Sequence, residues 1–504
     1  MSETKKDGAG ARRLASTRQS AKTGERGAPA VTRKSSSADH PATAGRSPGA
    51  SSRRSSRGDR PPAAPEARPR RAYGASVSAA GISAADLPGR RPASGERGSR
   101  PPPRSALGRA RAAVAASALD YLLVAIVATL LALGLVMVFS ASFWQAQKFF
   151  SLPPAYFFTR QVIWAAVGVA ALVVAYLIPY RWWSRLAIPL MMATLVLLLA
   201  TLIFGDYRYG ARRTLFGGSI QPSEIAKLTV AIYVAAWVTS KRRHLREVQG
   251  GLFPFAVLMG MVAGLIVLEP SISVTIIILV IGTAIFFVGG GDAKQLALSA
   301  LIGALVLGVF IWQSPHGGQR VQDWWAMIAN PGQVNEHAAQ IMAMLRQGHG
   351  IGTNPENWLP KLGVPLLWSD YIFANVGTDL GFPGAVATVA LFAGLGYRGL
   401  AIALATTDRF ACLTAIGVVT WIMTQAVIHM CASLALIPAT GVPLPFVSYG
   451  GSALVSCMAG VGILLSIGRS SQRREASARH SFDYAQDASF DYAQDVAQDG
   501  SHGR

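Results

Sequence analysis

The chain has 504 residues, a formal charge of +21 and 51% hydrophobic residues. Most of the positive surplus lies before Leu107, while long apolar runs fill Leu119 to Ile467. Such a division excludes a soluble or DNA-binding protein and predicts a charged tail joined to an all-α integral membrane body.

Residues 1–112 are rich in Arg, Ser, Ala, Gly and Pro. They carry too little apolar surface to offset the entropy of ordering, so a disordered basic tail is expected. Only Tyr73 interrupts the arginines, whereas single-strand nucleic-acid binding would want repeated aromatics among them. A solvated cytoplasmic tail that fixes topology is therefore preferred to a lipid or nucleic-acid patch, and no nucleic-acid partner is expected. The membrane domain is assigned to 113–469.

A membrane span needs about 20 mostly apolar residues. About ten transmembrane helices are predicted: Leu119–Ser142, Gln161–Ile178, Arg185–Phe204, Glu224–Thr239, Phe253–Leu268, Ile272–Gly289, Gln295–Gln313, Tyr371–Tyr397, Phe410–Leu436 and Tyr449–Ile467. Lys and Arg placement orients them. The basic tail, Arg181, Arg185, the Lys241–Arg246 cluster, Lys294, Arg398, Arg409 and Arg469 mark the cytoplasmic side, with both termini inside. The outer side then holds Gly205–Gln221, a large extracellular loop Ser314–Asp370 between helices 7 and 8, and Ile437–Ser448. Arg208, Arg212 and Arg213 break the charge rule by lying outside, which points to an anionic ligand at the outer membrane surface.

Four outward-facing stretches carry candidate chemistry. In the first, Arg212 and Arg213 suit phosphate through bidentate hydrogen bonds. They precede Gln221, Pro222, Ser223, Glu224 and Lys227. Glu224 and Lys227 share a helix face; their pair either locks helix packing or walls a substrate cleft. The long loop holds Arg320, Trp324, Trp325, Asn330, Pro331 and Gly348-His-Gly-Ile-Gly352, whose glycines allow close backbone approach or simple turns. In the third, Asp370 stands at a helix mouth, as a helix N-cap alongside Ser369 or as a carboxylate accepting a hydroxyl proton. The fourth runs from Leu436 to Ser452. Its prolines and glycines fix an irregular backbone, tolerated at a membrane edge only where it is buried in protein or lines a cavity. Ser448, Tyr449 and Ser452 offer hydroxyls beside it, and Gly450 lies among them.

His429 reads as a hydrogen-bonded packing residue. Cys412, Cys431 and Cys457 lie in apolar stretches and are expected to pack rather than form a disulfide framework. A disordered tail over 470–504 contains a tandem Ser-Phe-Asp-Tyr-Ala-Gln-Asp repeat from Ser481 and Ser489, too few copies for a solenoid.

Together these stretches resemble the SEDS (shape, elongation, division and sporulation) family over about Leu119 to Ile467. Pro438 to Ser452 is similar to the family's PxTGxPLPFxSYGGS signature, Gln221 to Lys227 to its QPSExxK block, and Asp408-Arg-Phe410 also fits. Gly134 to Ser142 looks most like the division branch. The resemblance implies polymerisation of glycan strands from lipid II at the outer face of the cytoplasmic membrane, at the division septum. It also implies a class B penicillin-binding protein (a transpeptidase) and divisome proteins as partners. By the same resemblance Asp370 is the catalytic aspartate, with Arg212, Arg213, Gln221, Ser223, Glu224, Lys227, Ser448, Tyr449, Gly450 and Ser452 around the substrate. A divalent cation, Mg²⁺ or Mn²⁺, would suit the diphosphate. Departures stand at Leu366 and Trp368, where the family has an acid and a histidine, at Ser271, which replaces another acid, and at Thr214, Glu336, His337 and Thr378. Two rivals fit the same features: a lipid II flippase, and an inactive scaffold for a transpeptidase.

Overall fold

The computed structural model describes residues 106–472 except 209–210, 216–217, 219, 242, 314, 330–335, 349, 354–360 and 362. The expected tails lie outside the described residues, save that the first helix already begins at Ala106 and the last runs to Gln472. Asn330, Pro331 and His349 also lie outside them.

The bundle is built from α1 (Ala106–Phe150), α2 (Tyr156–Leu177), α3 (Tyr180–Phe204), α4 (Pro222–Ser240), α5 (Phe253–Leu268), α6 (Ile272–Val288) and α7 (Ala293–Gln313). It continues in α8 (Pro315–Ala329), α9 (Glu336–Gln347), α10 (Leu367–Asp370), α11 (Ile372–Asp379), α12 (Gly381–Ala405), α13 (Arg409–Ser433) and α14 (Gly451–Gln472). Among the described residues, eight helices are long and apolar enough to cross a membrane: α1, α2, α3, α5 with its preceding turn, α7, α12, α13 and α14. Helix α6 is shorter but apolar throughout. With α4, these match the expected segments. The protein is an all-helical, multi-pass membrane protein.

Burial sorts the helices into two layers. The apolar window of α14 is 78% buried and that of α13 61%, against 17% for α2. On α2, Ile163, Val174 and Leu177 are exposed. In water such a surface would be a liability; against hydrocarbon it is the proper outer face. Helix α4 carries Glu224 and Lys227 and packs against α3, α6 and α13. Its polar residues are thus kept from lipid by apolar neighbours. Small residues let an outer helix touch the inner layer: a β-carbon at Gly462 of α14 would lie 2.3 Å from the Leu172 carbonyl oxygen of α2, the close approach that drives packing where no water is expelled.

Several connections differ from the sequence reading. The stretch after α3 is not a plain loop but a hairpin, with β1 (Asp206–Arg208) antiparallel to β2 (Ala211–Thr214). The long Ser314–Asp370 segment contains α8, α9 and α10. The single helix expected over Tyr371–Tyr397 is broken into α11 and α12 at Leu380, with Gly381 at φ +65°. Contacts from a distant loop accompany the break. Thr353 donates its N–H and its hydroxyl to the Thr378 carbonyl, at 2.9 and 3.0 Å. The Gly348–Gly352 turn thus meets protein backbone, at the α11–α12 junction.

Gly352 sits at φ +99°, and a β-carbon there would fall 2.3 Å from the Asp379 carbonyl oxygen. Gly352→Ala is therefore expected to destabilise the protein by about 1–3 kcal/mol. Thermal unfolding in detergent checks this, with Gly350→Ala, which meets nothing within 4 Å, as the near-neutral control.

Candidate active site

The site gathers at the end of the bundle where the β-hairpin, α8 and the Pro438–Ser452 loop meet. Asp370 ends α10, a helix of a single turn that begins after Leu366 in the left-handed region at φ +55°. It is not an N-cap: Tyr371 holds that position on α11, without a side-chain cap bond. A helix this short cannot hold itself. The signature loop holds it instead. Ser448 Oγ donates to the Ser369 carbonyl at 2.7 Å and accepts the Leu444 N–H at 2.8 Å. The Tyr449 N–H donates to the Trp368 carbonyl at 2.9 Å. The Trp368 indole packs on Phe157, with centroids 4.6 Å apart.

Three consecutive loop residues meet the other parts of the site. Arg320 Nη1 donates to the Ala439 carbonyl at 3.2 Å, and Ser273 Oγ to the Thr440 carbonyl at 3.3 Å. Gly441, at φ +64°, passes so close to Asp370 that a β-carbon on it would lie 3.6 Å from Oδ2. Asp370 Oδ1 accepts a hydrogen bond from Ser369 Oγ at 2.9 Å. Burial raises the Asp370 pKa, while the Ser369 hydroxyl and the charges of Arg320 and Arg213 oppose that shift. The carboxylate therefore lies within electrostatic reach of two guanidinium groups.

Arg213 is anchored to the start of α6 by backbone. Its Nε donates to the Glu269 carbonyl at 3.1 Å and its Nη2 to the Pro270 carbonyl at 2.5 Å. Burial and Arg320 lower its pKa; Asp370 and Glu269 raise it. The Glu269 side chain is fully buried, with neither oxygen hydrogen-bonded among the described residues. Burial raises its pKa to about 8 against the pull of Arg213. Ser271, where the family's acid is missing, lies two residues beyond this carboxyl.

The remaining candidates fall elsewhere. Arg212 and Arg213 are adjacent in β2, and successive strand residues point to opposite faces. Arg212 is exposed and donates to the Ile203 carbonyl at 2.9 Å, closing the end of α3 rather than joining Arg213. Glu224 and Lys227 are 1% and 0% exposed and paired at 2.7 Å. Lys227 also donates to Gln425 Oε1 at 2.6 Å, and Gln425 Nε2 donates to the Pro443 carbonyl at 2.8 Å. The pair thus supports the signature loop from inside the bundle. Gln221 and Ser223 bond each other, and the Gln221 N–H donates to Ser452 Oγ at 3.0 Å. The Gly450 N–H reaches Gln161 Oε1. His429 is buried, with Nδ1 2.7 Å from the Val442 carbonyl oxygen.

Sequence reasoning passed over Glu269 and Gln425 as site residues and named Arg320 within the long loop without giving it a role. Arg320 carried one usable signal, a cation beside two tryptophans in the outer segment; Glu269 carried another, an acid beside a proline between two apolar runs.

The chain matches the FtsW/RodA/SpoVE cell cycle protein profile over residues 120–473. It is 31% identical over 358 residues to the probable peptidoglycan glycosyltransferase FtsW of Trichlorobacter lovleyi, covering 69% of this chain and 92% of that protein. It is also 31% identical over 366 residues to stage V sporulation protein E of Bacillus subtilis, covering 70% and 98%. Among solved structures, it superposes on the rod shape determining protein RodA of Thermus thermophilus with a TM-score of 0.52 and 26% identity, covering 69% and 95%. A chain from a peptidoglycan synthase complex, described as coordinating polymerization and crosslinking, gives 0.56 and 25%, covering 69% and 97%. The matched region holds the bundle from residue 120 onward and every site residue described above, so the chain belongs to the FtsW/RodA/SpoVE family.

Proposed function

We propose that this protein is a peptidoglycan glycosyltransferase that polymerises lipid II. The reading is carried by Asp370, which lies within electrostatic reach of Arg213 and Arg320 and against Gly441 of the signature loop, at one end of a membrane bundle. Lipid II offers a sugar hydroxyl as acceptor and a diphosphate as leaving group. Asp370 accepts the proton of the acceptor hydroxyl, and that oxygen bonds to the anomeric carbon of the growing chain. The anomeric carbon–phosphate oxygen bond breaks, and undecaprenyl diphosphate leaves with its electron pair. Arg213 and Arg320 stand where that charge develops.

A divalent cation fits this arrangement in a limited way. Among the described residues no three His, Cys, Asp or Glu side chains converge. Mg²⁺ commonly rests on one or two carboxylates plus substrate phosphates. Asp370 and the diphosphate would hold it, and it would supply charge neutralisation there.

This end of the bundle faces outward under the positive-inside rule, because Lys241, Arg243, Lys294 and Arg469 cluster at the other. Both termini are then cytoplasmic. A neighbour from a complex that coordinates polymerization and crosslinking supports a class B penicillin-binding protein as partner; divisome proteins at the septum are the further partners of this reading. The test is glycan product from purified protein and lipid II, with and without that transpeptidase. Labelled lipid II crossing vesicle membranes with no polymer formed would establish the flippase reading instead.

Arg213→Lys is expected to lower polymerisation by about tenfold or more, because an ammonium cannot make the paired backbone contacts that aim the guanidinium. Arg212→Lys is expected to change it less than about twofold, since that side chain points away from Asp370. Initial rates of the two variants decide which arginine serves the reaction.

A further inference from the structure

A second polar cluster lies below the Asp370 turn. Lys361 Nζ pairs with Asp379 Oδ1 at 2.5 Å. Ser140 of α1 closes the triangle, donating to Asp379 Oδ2 at 2.5 Å and accepting from Lys361 Nζ at 2.7 Å. Asn375 Nδ2 adds a bond to Asp379 Oδ2 at 3.1 Å. Gln145, also on α1, donates to the Lys361 carbonyl and, at 3.0 Å, to the Val364 carbonyl. The two charged side chains are 5% and 12% exposed.

The placement of this pair along the chain is informative. Lys361 stands nine residues before Asp370 and Asp379 nine after it. The pair joins the two ends of the segment whose middle is Asp370. Buried ion pairs add little net stability, because desolvation offsets their attraction; their best-attested use is to fix one arrangement among several. A segment made of a left-handed Leu366, a one-turn helix and the short α11 has several arrangements open to it.

We propose that the Lys361–Asp379 pair, locked to α1 by Ser140, is a positioning device that sets where Asp370 stands against the signature loop. The two residues act through Asp370 and do not touch substrate. The Ser448 and Tyr449 contacts hold the middle of the segment from one side. The ion pair cinches its ends, so the carboxylate cannot drift along the loop. In the rate this rests on the lipid II reading above; in the backbone it does not.

The test uses the full-length protein in detergent, with Asp379→Asn, Lys361→Met and Lys361→Arg. Hydrogen–deuterium exchange should quicken over 364–372 in Asp379→Asn and Lys361→Met, with α13 and α14 unchanged, while Lys361→Arg stays near wild type. With lipid II, kcat should fall about 10–100-fold in the first two variants at nearly constant KM, the loss expected from a misplacement of about 1 Å. Lys361→Arg should recover most of it. If Asp379→Asn fails to fold, Ser140→Ala keeps both charges and should show the same exchange change in milder form. Unchanged exchange in the folded variants overturns the proposal, as does quickened exchange with an unaltered kcat. Quickened exchange in protein whose wild type makes no polymer supports the cinch and rejects the lipid II reading.

Discussion

Asp370→Asn is expected to abolish polymerisation, lowering kcat by about 10²–10⁴-fold, while the protein folds with its melting temperature nearly unchanged. The two halves of the result have separate causes. The turn is held by backbone: the Asp370 N–H bonds the Leu366 carbonyl at 2.9 Å, and Ser448 and Tyr449 grip the carbonyls of Ser369 and Trp368. An asparagine fits the same space and can still accept from Ser369 Oγ. What it cannot do is take a proton. Because burial raises the Asp370 pKa, and Ser369, Arg320 and Arg213 only partly oppose this, the base is lost at a higher pH than an ordinary carboxylate. The rate should therefore fall as pH drops, with the limb displaced upward from the usual carboxylate range. Burial raises the Glu269 pKa to about 8 and so favours the neutral acid at pH 7; Glu269→Gln should leave the neutral-pH rate close to wild type and alter the profile at higher pH. An Asp370→Asn protein that polymerises at a comparable rate would remove this residue from the chemistry.

The changed motif positions next to Asp370 bear on the inactive-scaffold rival. Leu366 and Trp368 stand where the family has an acid and a histidine. Trp368 is buried against Phe157, and Phe150 lies edge-on to it with centroids 5.9 Å apart. The Trp368 side chain thus packs against α1 and α2, and the Asp370 carboxylate stays within electrostatic reach of both arginines. Their effect falls on how the turn is supported, while the acid itself keeps its charged neighbours. Rates with lipid II decide between a supported and an idle carboxylate.

Spacing alone made the helices legible, because an apolar run of span length has few other uses. It also showed that Glu224 and Lys227 share a face. It could not show that Gln425, 198 residues beyond Lys227, completes their hydrogen bonding, because nothing local records a partner that distant. Arg212 and Arg213 failed for another reason. They looked like a pair, but neighbours in a strand face apart, and the short hairpin had no apolar alternation to announce it. The break before Gly381 was hidden because an apolar run with Gly and Pro also suits an unbroken membrane helix; the Thr353 contacts with the Thr378 carbonyl that accompany it come from a loop 25 residues earlier.

The second large effect is expected at Lys227, and it is one of stability rather than rate. Lys227→Met removes the positive charge that faces Glu224 and leaves that carboxylate 1% exposed with no other hydrogen-bond partner among the described residues. Breaking one side of a buried pair costs about 3–5 kcal/mol, far more than the intact pair contributes. Bilayer-depth burial on α4 offers no water to relieve it. The fold should loosen first where the network ends, since Lys227 and Trp421 Nε1 both donate to Gln425, whose amide holds the Pro443 carbonyl of the signature loop. Thermal unfolding in detergent should show a large loss for Lys227→Met. The double variant Lys227→Met/Glu224→Leu should regain much of it, because a buried ion pair replaced by apolar groups of similar size is often tolerated. Equal loss in single and double variants would mean that the pair's charges are not what holds α4 to α13. Full stability in the single variant would mean that Glu224 has a route to water that its burial denies.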